Sequence, residues 1–110
     1  MLESHHIASA FELMLGKSAN NWAIKLGSED FGRVRQMMID CVLATDMALH
    51  FKEINRVKDR MDQPDYDLKN EKDKHMITKL VFHLADISNP TKRWQVCKDW
   101  TELLYVEFFA

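Results

Sequence analysis

Turn-forming residues are scarce in this sequence. Its 110 residues hold three glycines (Gly16, Gly27 and Gly32) and two prolines (Pro64 and Pro90). An architecture of many short strands needs frequent tight turns, so this scarcity argues against it and favours a few long helices. Cysteine is scarce too. Cys41 and Cys97 lie in helical apolar patterns without metal-ligand spacing. They read as buried free thiols of a reducing compartment, with a disulfide as the alternative. Charge of one sign is missing as well: 15 Lys and Arg face 17 Asp and Glu. That balance argues against a nucleic-acid partner, which calls for clustered positive charge. No apolar run is long enough to span a bilayer. The N-terminus lacks the basic-then-apolar order of a secretory signal.

What the chain does have is apolar bulk. Hydrophobic residues make up 46% of it, with three Trp and six Phe, so it is globular material with enough length for one small domain. From Leu2 to Leu15 the apolar residues Ile7, Ala10, Phe11, Met14 and Leu15 recur at helical spacing, and Gly16 follows as a stop. Trp22 to Leu26 predicts a brief helix, with Ser28 as the N-cap of the next one. That next helix is expected to run from about Glu29 to Met61. Between Met37 and Phe51 it is apolar on nearly every face, and such a helix must be buried all round. A chain of this length has little material with which to surround it, which points to a piece of something larger or to an oligomer. Asp62 to Asp67 reads as a loop around Pro64. A helix from Asn70 then turns apolar and reaches Asp86, and a last helix starts at Pro90 or Thr91. It ends on Phe108 and Phe109 with no cap.

Three groups of residues are candidates for chemistry. His5 and His6 are adjacent, so on a helix they point about 100° apart and do not share one ion. One core-facing and one rim histidine is the plainer reading. Asp46, inside an apolar run, needs a partner, because an unpaired buried carboxylate costs several kcal/mol. His50, one turn on, is a candidate for that partner. It is equally open whether Asp46 is bonded within the core or lines a polar pocket. His83 and Asp86 are three apart and share a helix face. Asp86 sits where helix carbonyls already carry partial negative charge, so it calls for compensation by a cation or by a hydrogen-bonding cap. On spacing alone the cap is favoured: Ser88 and Asn89 stop one helix and start the next, with Pro90 at its first position.

Taken together, the motifs resemble a known family. Leu2-Glu3-Ser4-His5-His6, Val42 to Phe51 (VLATDMALHF), His83 to Lys92 (HLADISNPTK), Trp100-Thr101 and Glu107-Phe108-Phe109 resemble elements of the class I 3′,5′-cyclic nucleotide phosphodiesterases, in the family's order along the chain. The resemblance implies an all-α fold and hydrolysis of cAMP, cGMP or both to the 5′-monophosphate, with Zn2+ and Mg2+ as cofactors. Asp86 looks like a zinc ligand, which reverses the preference for a cap. Glu3, Thr45, Asp46 and His6 resemble residues that hold metal-bound waters or support the histidines around the metals. Met47, Ile87, Asn89, Trp100, Thr101, Leu104, Tyr105 and Phe108 would line the nucleotide pocket.

The family's His-Asp metal motif and its proton donor belong upstream of the Leu-Glu-x-His-His element. Its purine-reading glutamine belongs downstream of Glu-Phe-Phe. Residues 1–110 are therefore expected to be an internal fragment of one catalytic domain, truncated at both ends and inactive alone. Loose packing or self-association is expected of it in isolation. Arg93 and Cys97 depart from the residues usual at their positions. A cyclic nucleotide as partner, a cytoplasmic location and a homodimer of the full-length protein are what the resemblance suggests. The rival readings are a non-catalytic helical scaffold or degenerate phosphodiesterase and, more remotely, another metal-dependent phosphohydrolase.

Overall fold

A computed structural model describes residues 2–110. Its described residues form five α-helices and no strand: α1 (Leu2–Gly16), α2 (Ser28–Leu43), α3 (His50–Met61), α4 (Glu71–Asp86) and α5 (Trp94–Phe108). Short 3-10 turns at Ser18–Asn20, Met47–Leu49 and Asn89–Thr91 join them. The all-α expectation is met.

The single long helix from Glu29 to Met61 is not. It breaks between Leu43 and His50. The polar residues of the break explain why. The Thr45 hydroxyl donates to the Val42 carbonyl (2.8 Å), and the Asp46 carboxylate accepts the Ala48 N–H (2.9 Å) from an extended backbone at ψ 110°. Short polar side chains here compete with the helical ladder and win. Asp46 thus serves as a cap rather than as the partner of His50.

Three smaller expectations are corrected in the same way. Trp22 to Leu26 makes successive single turns rather than a helix. Gly27 occupies the N-cap of α2, with extended backbone at ψ 160°, and Ser28 is already helical. Pro90 and Thr91 belong to a separate turn, pinned by the Thr91 hydroxyl on the Ser88 carbonyl (2.7 Å), and α5 starts only at Trp94 after the extended Lys92. By contrast, Asn70 caps α4 by accepting the Lys72 N–H (2.9 Å). Gly16 ends α1 without a left-handed turn, for no described glycine has positive φ.

Helix α4 is the hub. It packs on α2 and on α3, while α1 packs on α2. Two polar contacts set these crossings: His75 Nε2 lies 2.9 Å from Asp40 Oδ2 between α4 and α2, and Lys79 reaches Glu53 at 3.9 Å between α4 and α3. The core is thin. Ile7, Met14, Ala23, Cys41 and Val57 are its buried apolar residues. Helix α5 buries none of its residues and lies against the Asn89–Thr91 turn. The radius of gyration, 16.9 Å, exceeds the roughly 13 Å of a compact domain of this length. The Met37–Phe51 stretch is accordingly not enclosed: Phe51 is 80% exposed and Met47 58%.

Candidate functional site

Two helix ends meet where the sequence places its polar motifs. His50 opens α3, and His83 lies in the last turn of α4. Their rings face each other across the helix pair, with His50 Nδ1 2.7 Å from His83 Nε2. His83 is only 3% exposed. Its second ring nitrogen, Nδ1, is buried and has no partner among the described residues. The contact links the Thr45–Leu49 break to the α4 terminus.

Asp86 closes α4 one turn beyond His83. It is exposed, and no ion pair or side-chain hydrogen bond compensates it among the described residues. The helix end is completed without it: the Ile87 N–H donates to the His83 carbonyl (3.2 Å) and the Ser88 hydroxyl to the Ala85 carbonyl (2.6 Å). The cap thus satisfies the carbonyls and leaves the carboxylate free. A free carboxylate suits a divalent cation, which binds oxygen donors. Yet among the described residues no group of three His, Cys, Asp or Glu side chains is placed to hold a metal. Asp86 fits one donor position, and these residues do not complete a metal centre.

The remaining sequence candidates fall into three places. Thr45 and Asp46 are half-buried in the break, with Met47 exposed beside them. Asn89 and Thr101 come together: Asn89 Nδ2 donates to the Cys97 carbonyl (3.2 Å) and to Thr101 Oγ1 (3.3 Å), and its Oδ1 is buried without a partner. Half-buried Ile87 precedes this turn, and Lys92 lies 5.7 Å from the Trp100 ring. Trp100, Thr101, Leu104, Tyr105 and Phe108 share one face of α5 by their spacing, and that face is open. Glu3 and His6 lie on α1, which packs on α2. No hydrogen bond or ion pair joins them to the other candidates among the described residues.

Sequence reasoning missed two features. His50 is bonded to His83 rather than to Asp46, because the helix break turns it away from its neighbour one turn back. The second is an ion cluster at the other end of the α3–α4 hairpin. Arg60 grips the Asp73 carboxylate with two bonds (2.7 and 2.8 Å), reaches Asp65 Oδ1 (2.7 Å), and the Asp67 N–H also donates to Asp73 (3.1 Å). Hydrogen bonding to Arg60 holds the carboxyls of both Asp73 and Asp65 below their ordinary range and raises the guanidinium itself. Asp73 is 3% exposed, which a carboxylate tolerates only when paired. Nothing in the helical pattern signalled this pairing. Cys41 and Cys97 are both free; Cys41 is buried as its patterning suggested, whereas Cys97 is only half-buried because α5 lacks a covering surface among the described residues. Burial, aided by Asp40, pushes the Cys41 thiol up and away from reactivity.

The thin core and open faces define a segment of a larger all-α domain, and two solved structures contain this arrangement. "Structure of LmjPDEB1 in complex with IBMX" matches 98% of this chain at TM-score 0.84 and 28% identity. The phosphodiesterase domain of the RhoPDE fusion protein from the choanoflagellate Salpingoeca rosetta matches 90% at TM-score 0.79 and 31% identity. The matched region is 32% of each of those chains. The sequence agrees: the chain belongs to the 3′5′-cyclic nucleotide phosphodiesterase family, whose profile matches residues 1–110. It is 39% identical over 109 residues to the dual specificity calcium/calmodulin-dependent 3′,5′-cyclic nucleotide phosphodiesterase 1B of Mus musculus, and spans 19% of that relative's length.

Proposed function

We propose that this chain is part of the catalytic domain of an enzyme that hydrolyses 3′,5′-cyclic nucleotides to 5′-monophosphates. In that reaction a water oxygen adds to phosphorus, the bond to O3′ breaks, and O3′ takes up a proton. The observation that carries the reading is the family match over the whole chain. Within it, Asp86 is the residue with a chemical task in reach: an exposed carboxylate, uncompensated by its own helix, on a turn anchored by a buried histidine. We assign it as one ligand of a divalent ion, Zn2+, with Mg2+ as the second metal. Bound divalent ions lower the pKa of water and neutralise phosphate oxygens. Glu3, Thr45, Asp46 and His6 are assigned to the waters and histidines around the metals. Met47, Ile87, Asn89 and the α5 face from Trp100 to Phe108 are assigned to the nucleotide. A cytoplasmic setting and a homodimer of the full-length protein belong to the same proposal.

The test uses the full-length protein and both cAMP and cGMP, since the Mus musculus relative is named for dual specificity. Asp86→Asn is expected to lose tightly bound zinc and at least about 100-fold in turnover. The isolated chain is expected to show no hydrolysis, because one carboxylate does not hold zinc. A full-length protein that leaves both nucleotides intact, or an Asp86→Asn variant that retains its zinc, overturns the reading.

A further inference from the structure

We propose that His50 and His83 form a positioning clasp that fixes where Asp86 points. The proposal rests on the assignment of Asp86 above, and it adds two residues to which no role has been given. Three observations carry it.

The first is the contact itself. Two imidazole nitrogens 2.7 Å apart share a single proton: one donates and the other accepts. Two rings that both donate there would repel, so the contact is a specific bond and not mere packing.

The second is the isolation of His83. The ring is 3% exposed and its Nδ1 has no partner among the described residues. His50 is therefore the hydrogen-bond partner that orients this ring within the chain. Around it Ala44, Ile54, Val57, Met76 and Leu80 are apolar, and the two charged neighbours, Glu53 and Lys79, lie 3.9 Å from each other and make no hydrogen bond to the ring among the described residues. Removing His50 leaves a buried imidazole with neither nitrogen satisfied, an arrangement that native interiors avoid.

The third is the connection to each side. The His83 carbonyl accepts the Ile87 N–H that closes the turn bearing Asp86. His50 follows directly on the Met47–Leu49 turn, whose cap is Asp46 and whose approach is held by Thr45. The clasp thus references Thr45, Asp46 and Asp86 to one another across two helices. A ligand offered from a helix end is free to fray, and outer partners that orient a ligand sustain metal affinity.

The experiment is done on the full-length protein with selectively labelled histidine. A scalar coupling across the hydrogen bond between His50 Nδ1 and His83 Nε2 is expected, and its absence overturns the clasp. His50→Ala is expected to weaken zinc binding, read by calorimetry, by about 10- to 100-fold. It should lower kcat while KM for the nucleotide stays within about twofold. His50→Asn, whose amide nitrogen stands near the place of Nδ1, should recover most of the loss, which a purely space-filling role would not predict. His50→Ala with His83→Ala should cost about as much as the worse single change, as expected of residues acting as a unit. Additive losses, no rescue by Asn, or unchanged zinc affinity in a folded His50→Ala protein overturn the proposal. A wild-type protein without cyclic nucleotide hydrolysis overturns instead the function proposed above. The clasp is then judged by the coupling and by displacement of the Asp86 and Ser88 amide signals in His50→Ala.

Discussion

The α3–α4 hairpin buries Val57, Asp73 and His83, whereas α5 buries none of its residues although its sequence is more apolar than that of α3. In the hairpin a carboxylate and an imidazole are 3% exposed. In α5, Leu103 is 62% exposed, Val106 70% and Phe108 67%. The contrast shows that burial follows the partner and not the residue type. A polar group enters the interior when its own chain supplies the complementary group, as Arg60 does for Asp73 and His50 for His83. An apolar side chain stays in water when the surface that would cover it is missing. Helix α5 therefore has the composition of a core element and the exposure of a surface one.

The largest expected effect breaks this contrast at its polar anchor. Arg60→Ala strands a buried carboxylate and releases the loop between α3 and α4. Native-state hydrogen exchange on the chain should show α3–α4 amides protected and α5 amides near the unprotected limit. Arg60→Ala should erase that difference and lower thermal stability more than any other change named here. Equal protection of α5 and the hairpin in the unaltered chain would refute the comparison.

Next in size is Val57→Ala. Val57 is 4% exposed, and removing its two methyl groups should destabilise the hairpin by about 2 kcal/mol, read as a lower urea midpoint at unchanged slope.

Acid should act on the same cluster. Asp73 is held below its ordinary value of 3.8 by Arg60 and by the Asp67 N–H, against the opposing cost of burial. The unfolded chain therefore takes up its proton first as the pH falls past 3.8. The contribution to stability is complete above that value and is lost as the pH drops through the depressed folded value. Asp65 shifts in the same direction, but its side chain is 75% exposed and adds little. Denaturation midpoints of the unaltered chain and of Arg60→Ala should converge on acidification, and parallel curves would contradict the assignment.

The smallest effect is expected on α5. Phe108→Ser should change the stability of the isolated chain by less than about 0.5 kcal/mol while reducing self-association measured by light scattering. A loss of several times that size would show that α5 already packs on something.

Much of the helical framework was readable from residue order. The periodicity of Ile7, Ala10, Phe11 and Met14 gave α1, and Asn70 marked the start of α4. The region from Leu43 to His50 was not readable. VLATDMALHF is apolar enough to continue a helix, and the break depends on Thr45 and Asp46 bonding to their own backbone, which composition does not reveal. Asp86 was legible as a residue needing compensation, and the family resemblance suggested a cation, the reading adopted in the proposed function. That its own helix end closes without it became clear only from the bonds of Ile87 and Ser88. The His50–His83 contact joins residues 33 apart in the chain. No local pattern encodes a pairing at that distance.

The sequence by itself determined the helical class, the apolar surplus and the family, because these rest on periodicity, composition and local motifs. Tertiary structure alone decided which helix ends meet, which carboxylate is clasped and which is left free. Those outcomes depend on the crossing of α4 with α2 and α3. At that crossing the cost of burying a polar group is offset only when its partner arrives from another helix at hydrogen-bonding distance.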